Sequence, residues 1–385
     1  MQRLQRLRSD ERGMMFVFVG LGFLAFLAAT MLAVDVGMLM TARAQAQNSA
    51  DAGALAGAVA LVFDDYNNRT SSGPAVTSAI AASSANQVMR APVSVTPADV
   101  VFLNDPTGEP NRVQVTVYRR ADRGNPVSTL VARYFGVPTA DIAAIATAED
   151  SPANAATCVK PWAVPDKWSE QQTPAWDEDD TFDLYDNKKK PLANPDVYVP
   201  ADLPGYTGFD SNPTGPDYGR EILLKVGNPH QAISASHFYP IALPPDSGAS
   251  WYKENIPGCW PGTMQMGDLV PVEPGNMTGP TVSGTQELID KDPTAHWDTA
   301  RRRVVSSHNP SPRIVVLPVF NPQQYEEGRQ HGRLEIEVAN LVGFFIEELQ
   351  GNDVRGHIVP MTGLIRADQG PIPGGSFLKA IRLVQ

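Results

Sequence analysis

Residues 14–34, MMFVFVGLGFLAFLAATMLAV, run for 21 positions without a charge. At 1.5 Å rise per residue they form a helix of about 31 Å, the thickness of a bilayer's hydrocarbon core. Residues 1–13 (MQRLQRLRSDERG) carry four arginines against two acids. Basic flanks stay on the cytoplasmic side, so the expectation is a single-pass anchor with everything beyond residue 34 on the far face. Two other readings use the same residues. A cleaved secretory signal has an apolar region of roughly 7–15 residues, shorter than this one. A pilin-type leader processed at Gly13 places Glu at its fifth mature position, where this chain has Phe18. Proline punctuates the chain unevenly: the first 73 residues have none, and residues 152–322 hold 24 of the 34. The N-terminal end supports continuous helix and the middle does not.

Beyond the apolar run comes DVGMLMTARAQAQNSADAGALAGAVALV, residues 35–62. Ala42, Ala46, Ala50, Ala54 and Ala58 recur every four residues on one helical face, with Gly53 and Gly57 as a GxxxG step beside them. Alanine favours helix, and the missing side chains admit another backbone closely. One rod over residues 14–62 follows. Its small-residue face, represented by Ala46, Ala50, Gly53, Ala54 and Gly57, either lies on the chain's own fold or packs against helices of partner subunits.

Asp10-Glu11-Arg12-Gly13, the apolar span, Val34-Asp35-Val36-Gly37, Ala42-Arg43-Ala44-Gln45 and Gln47-Asn48-Ser49-Ala50-Asp51-Ala52 together resemble the N-terminal region of TadG-like proteins of the Tad/Flp pilus-assembly (tight adherence) system, over residues 10–62. The resemblance implies an inner-membrane, single-pass component of a type IV-like pilus or secretion apparatus, with other pilin-like subunits as partners. Some TadG proteins carry a von Willebrand A domain, whose metal site is an Asp-x-Ser-x-Ser after an apolar strand. That motif occurs nowhere in this sequence. The best candidate strand, RIVVLPVF at 313–320, runs into Asn321-Pro322-Gln323, so the metal-dependent role is not carried over.

Residues 73–150 read as short strands at 100–103, 112–118 and 141–147, with Asp105-Pro106-Thr107-Gly108 as a turn and residues 128–135 as a short connecting helix or another strand. A long helix followed by a small sheet is pilin-like by analogy. Residues 151–385 read as a loop-rich β domain, with strands at 313–320, 333–338, 342–349 and 357–364 and a turn at Gln350-Gly351-Asn352-Asp353. Cys158 and Cys259, the two cysteines of the chain, fall on the exported side. There they are expected to form a disulfide closing this domain, two buried thiols being the alternative. The fold class is therefore α+β: a long N-terminal transmembrane helix (14–34, continuing as an Ala/Gly-rich helix at 35–63), a small pilin-like α+β region (73–150), then a disulfide-bridged, mainly antiparallel β ectodomain (151–385).

A formal charge of −11, from 31 basic and 42 acidic side chains, argues against nucleic acid as a partner, because phosphate contacts need clustered Lys and Arg. No nucleophile elbow, His-Glu-x-x-His, P-loop or dinucleotide fingerprint is present, and the six histidines are dispersed. The strongest local candidate is WDEDDTFDLYD at 176–186, whose Asp177, Asp179 and Asp183 offer carboxylates to calcium on a loop. The run lacks the central Gly and terminal Glu of an EF-hand, and a solvated acidic loop is the alternative. Beyond calcium no cofactor is expected. Scaffolding in the inner membrane, with a periplasmic or extracellular domain and no enzymatic activity, is the leading expectation. A membrane-tethered binding or adhesion module comes second, and a tethered envelope hydrolase third.

Overall fold

The computed structural model describes residues 11–106, 108–172, 175–275, 277–366 and 375–384. Most of the basic flank at 1–13, and Thr107 of the expected turn, lie outside them. The chain divides into two compact units, residues 1–60 with 68–149, and residues 61–67 with 150–382; the last residues, 383–385, group with the first.

The first unit begins with α1, Glu11–Phe63, 53 residues of uninterrupted helix. Its apolar stretch up to residue 34 is exposed among the described residues: Phe16 is 84% exposed and Phe18, Phe23 and Phe26 are exposed likewise. The helix is long and apolar enough to cross a membrane. Its second half lies on a sheet and a second helix. Pro74–Ala85 forms α2, with proline in its first turn, where a missing N–H costs nothing. The sequence reading of 73–150, short strands with a short helix or strand at 128–135, does not include this helix. Its alanine-rich sequence shows little periodicity, which is what hides such a helix from pattern reading. In the sheet, β1 (Val100–Leu103), β2 (Arg112–Arg119) and β5 (Ile142–Pro152) pair antiparallel, with Val100 opposite Val115 and Arg119 opposite Ile142. Val113, Val115, Val117, Ile142, Ala144, Ala146 and Ala148 alternate onto its buried face, as period-2 patterning requires. Between β2 and β5 a hairpin of β3 (Val127–Ser128) and β4 (Thr139–Ala140) carries a 3₁₀ turn, Ala132–Phe135. The expected helix over 128–135 is thus reduced to one tight turn, ended by Gly136 at φ +87°.

The second unit is built on a closed six-stranded barrel. Its strands are β6 (Trp162–Pro165), β7 (Glu221–Val226), β8 (His237–Pro240), β12 (Ile314–Phe320), β13 (Glu335–Gln350) and β14 (Asp353–Val359), in the order β13-β12-β6-β8-β7-β14 and back to β13. The β6–β12 and β7–β8 pairs are parallel and the other four antiparallel. Trp162, Val164, Ile222, Leu224, Phe238, Val315, Leu317, Val319, Val342, Phe344, Ile346, Val354 and Ile358 form one buried cluster drawn from all six strands, which places them inside. A short β9 (Leu269–Pro271) pairs antiparallel with the start of β13, and β10 (His296–Asp298) with β11 (Arg303–Val305) forms a separate two-stranded hairpin. Helices α3 (Ala249–Glu254), α4 (Thr278–Ile289) and α5 (Pro322–Gln330) complete the unit. α4 reaches twelve residues despite Pro280, because that proline sits in its first turn.

The expected strands at 333–338 and 342–349 are one strand, β13, since Ala339-Asn340-Leu341 contains no breaker. The turn at Gly351-Asn352 is as expected, with Gln350 opposite Asp353. Asn321, where a metal-binding Asp would stand, caps α5 by accepting from Gln324 N at 3.0 Å. Cys158 and Cys259 are disulfide-bonded, Cα to Cα 4.4 Å, closing 101 residues.

Candidate functional site

The second half of α1 decides what its small-residue face can meet. Ala42, Ala46, Ala50, Ala54 and Ala58 are all buried to 1% exposure or less. A Cβ on Gly53 would fall on Ser83 Oγ of α2 and lie 3.0 Å from Ala79 O, and one on Gly57 would lie 2.8 Å from Val113 Cγ1. Ser49 Oγ donates to Ser83 O at 2.8 Å, and Gln45 Oε1 accepts from Met89 N at 2.8 Å. The face that was expected either to lie on the chain's own fold or to meet partner helices is occupied by the chain's own α2 and sheet. Of the two readings left open for Ala46, Ala50, Gly53, Ala54 and Gly57, the structure shows packing within the chain's own fold. What stays exposed on this part of the helix is the opposite side, with Val36, Gly37, Met40, Thr41, Ala44 and Asn48.

The acidic run does not gather. Asp177 Oδ1 accepts from Asp179 N at 2.9 Å, Asp180 Oδ2 from Asp177 N at 2.7 Å, and Asp183 Oδ2 from Thr181 Oγ1 at 3.0 Å. Each carboxylate closes its own turn, the usual work of Asp in loops. Among the described residues the ligand atoms that do converge, within 4.8 Å of one another, belong to Glu221, Glu347 and His357, none of them singled out in the sequence as a metal ligand.

That cluster is made by a β-bulge. Ile346 pairs with Gly356 and Glu348 with Arg355, so Glu347 is the extra residue of β13. A bulge re-aims the side chain it inserts. Glu347 Oε2 meets His357 Nε2 at 3.0 Å, and its Oε1 accepts from Trp297 N at 3.3 Å. The Trp297 ring stacks on His357, centroids 4.7 Å apart and 12° between planes. His357 Nδ1 faces Gly219 O at 3.1 Å. Arg355 already forks onto Glu221 (3.0 and 3.2 Å) and reaches Glu348 at 2.9 Å. A guanidinium within 4.0 Å of Glu347 occupies the position where a divalent cation would need carboxylate charge, so the arrangement works as an ion-pair network fastening the bulge.

Two buried carboxyls of the second unit titrate unusually. Asp166, fully buried, accepts from Tyr198 Oη (3.0 Å), Tyr206 Oη (2.8 Å), Phe209 N (3.1 Å) and Lys167 N (3.0 Å). Burial nevertheless pushes it up to about 6. Asp196 is likewise raised to about 6 by burial and by the Glu170 carboxyl it hydrogen-bonds, while Glu170 is held below its usual range. An acid raised in the fold keeps a proton that the unfolded chain, titrating near 3.9, gives up. Stability therefore falls as pH rises from about 4 through 6. Asn removes the titration, so Asp196→Asn is expected to flatten the decline in urea midpoint over that window. Parallel pH profiles for variant and wild type would contradict the assignment.

Comparison with curated proteins and with solved structures gives no match. Residues 13–60, the apolar span and most of the alanine face, match the family model described as putative Flp pilus-assembly TadE/G-like.

Proposed function

We propose that this chain is a single-pass assembly component of a Flp-type pilus or a related secretion apparatus, acting by scaffolding and not by catalysis. The observation that carries the reading is the exposed apolar half of α1, contained in the segment that matches the pilus-assembly family. In this reading residues 1–13 stay in the cytoplasm, 14–34 span the inner membrane and 35–63 continue the rod. Residues 73–150 seat the rod, and 151–385 form the periplasmic or extracellular domain. Arg3, Arg6, Arg8 and Arg12 support the orientation, as does a disulfide in the part assigned to the oxidising side. Neighbouring pilin-like subunits meet the exposed side of the rod, where Gly37, Thr41, Ala44 and Asn48 recur at helical spacing.

Cysteine crosslinking in membranes of cells producing the apparatus tests this. Ala44→Cys and Asn48→Cys are expected to give discrete crosslinked species, and Ala50→Cys, whose side chain is buried, none. Absence of crosslinks at every exposed position between 37 and 48 would remove the reading.

A further inference from the structure

The tip of the β3–β4 hairpin holds an apolar surface that the unit itself leaves uncovered. Leu130 is 52% exposed, Tyr134 75%, Phe135 73% and Val137 52%. Residues 126–140 (PVSTLVARYFGVPTA) contain one charge, Arg133, whose guanidinium lies 5.0 Å from the centre of the Tyr134 ring. Exposed apolar patches on a folded unit mark interaction surfaces, and the tip's place along α1 identifies what this one meets.

Contacts between α1 and the rest of its unit descend in step. Gly57 is level with Val113, and Gln47 Nε2 donates to Ile145 O at 3.0 Å. The hairpin leaves the sheet from the end where Arg119 pairs with Ile142, the end toward the apolar half of the helix. Its tip closes on Asp35. The Asp35 carboxylate accepts from Leu130 N (2.8 Å), Val131 N (3.0 Å) and Ala132 N (2.5 Å), the N–H groups that open the 3₁₀ turn, and Asp35 is 3% exposed. Asp35 is also the first charge after the uncharged run of 14–34. A span of that length fills the hydrocarbon core, so Asp35 marks the level at which the helix leaves it. The tip is pinned to that level.

We infer that residues 129–137 form a membrane foot: Leu130, Tyr134, Phe135 and Val137 dip into the headgroup and acyl boundary of the leaflet through which α1 emerges. The chemistry suits that layer. Tyr and Phe rings favour the interface, and Arg133 reaches lipid phosphates while its stem stays among apolar groups. Three N–H donors meanwhile keep the Asp35 carboxylate paired at the membrane surface. The foot fixes how far the sheet stands above the bilayer, a restraint that a single helix does not supply.

The inference rests on the anchor reading, and one experiment separates their failures. Nitroxide labels are placed, with the native disulfide intact, at Phe135→Cys, Leu21→Cys and Glu109→Cys in the full chain, reconstituted in phosphatidylcholine–phosphatidylglycerol vesicles. Accessibility to oxygen and to a water-soluble nickel chelate then gives each label's depth. Position 21 is expected deep, 109 in water, and 135 at the interface, within about 5–10 Å of the headgroups. Leu130→Cys is expected to match 135. If 135 and 130 read as 109 does while 21 reads deep, the foot is overturned and the anchor stands. If 21 itself reads as water, both fall.

Discussion

Gly53→Leu is expected to unfold the first unit under conditions where the wild type remains intact. The position faces α2, where a Cβ would coincide with Ser83 Oγ and lie 3.0 Å from Ala79 O. The second of these is backbone, so no rotamer change clears it. Either α2 lifts from α1, exposing Ala75, Val76 and Ala79, or α1 bends away from the sheet beneath Gly57. Overpacking a tight site costs about 1–3 kcal/mol where side chains can give. Here a helix must move, so roughly 3 kcal/mol or more is expected. Gly37→Leu is the control, because nothing lies within 4 Å of a Cβ there and replacing a helical glycine gains up to about 1 kcal/mol. Limited proteolysis of the detergent-solubilised chain should cut Gly53→Leu within residues 68–149 and leave Gly37→Leu as resistant as wild type. Equal resistance of all three would show that the two helices are not packed as described.

What the sequence disclosed and what it withheld have the same physical origin. The rod was legible because 21 uncharged residues and a four-residue alanine repeat are local patterns, readable without knowing what they touch. The disulfide was legible because two cysteines in a chain leave a single pairing. The alanine face left two readings open, its own fold or a partner, since the two leave the same small-residue imprint. The structure decides for α2, a helix whose own pattern is weak. The acidic run drew attention by composition, yet Asp177 and Asp180 accept from neighbouring backbone N–H groups, Asp183 from the Thr181 hydroxyl and Glu178 from Arg220. The Glu221, Glu347 and His357 cluster was hidden, because a hairpin at Gly351-Asn352 in simple register puts Glu348 and Arg355 together but says nothing of the inserted Glu347. Barrel closure depends on the β6–β12 and β7–β14 pairs, which join Val164 to Val319 and Glu221 to His357 across long stretches of sequence, and no local period encodes that.

Arg313→Met is expected to be among the most damaging single changes in the second unit, although the side chain forms no ion pair among the described residues. Arg313 is 2% exposed and packs over the Phe345 ring, 5.2 Å from its centre. Its Nε donates to Ile346 O at 2.9 Å, its Nη1 to Asp292 O at 2.9 Å and Ala295 O at 3.0 Å, and its Nη2 to Glu347 O. Two of these carbonyls belong to the bulge that interrupts the β13–β14 ladder, and two to the segment following α4. Burial lowers the Arg313 pKa, opposed by the Asp292 and Glu347 carboxylates, and the guanidinium stays charged in any case. Methionine keeps much of the volume but removes the guanidinium donors from four carbonyls, of which Asp292 O keeps a second donor, Ala295 N at 3.2 Å. Each such loss costs about 1–3 kcal/mol, less than additively. For a unit of this size that lowers the melting temperature by roughly 10 °C. Arg355→Met supplies the comparison: it removes three carboxylate contacts, but at a site open to water, where such pairs contribute about 1 kcal/mol or less. Thermal melts followed by tryptophan fluorescence should therefore rank Arg313→Met far below Arg355→Met, against the order that counting ion pairs would give. Were Arg355→Met the more damaging, the bulge would be held by its surface charges and not by the guanidinium beneath it.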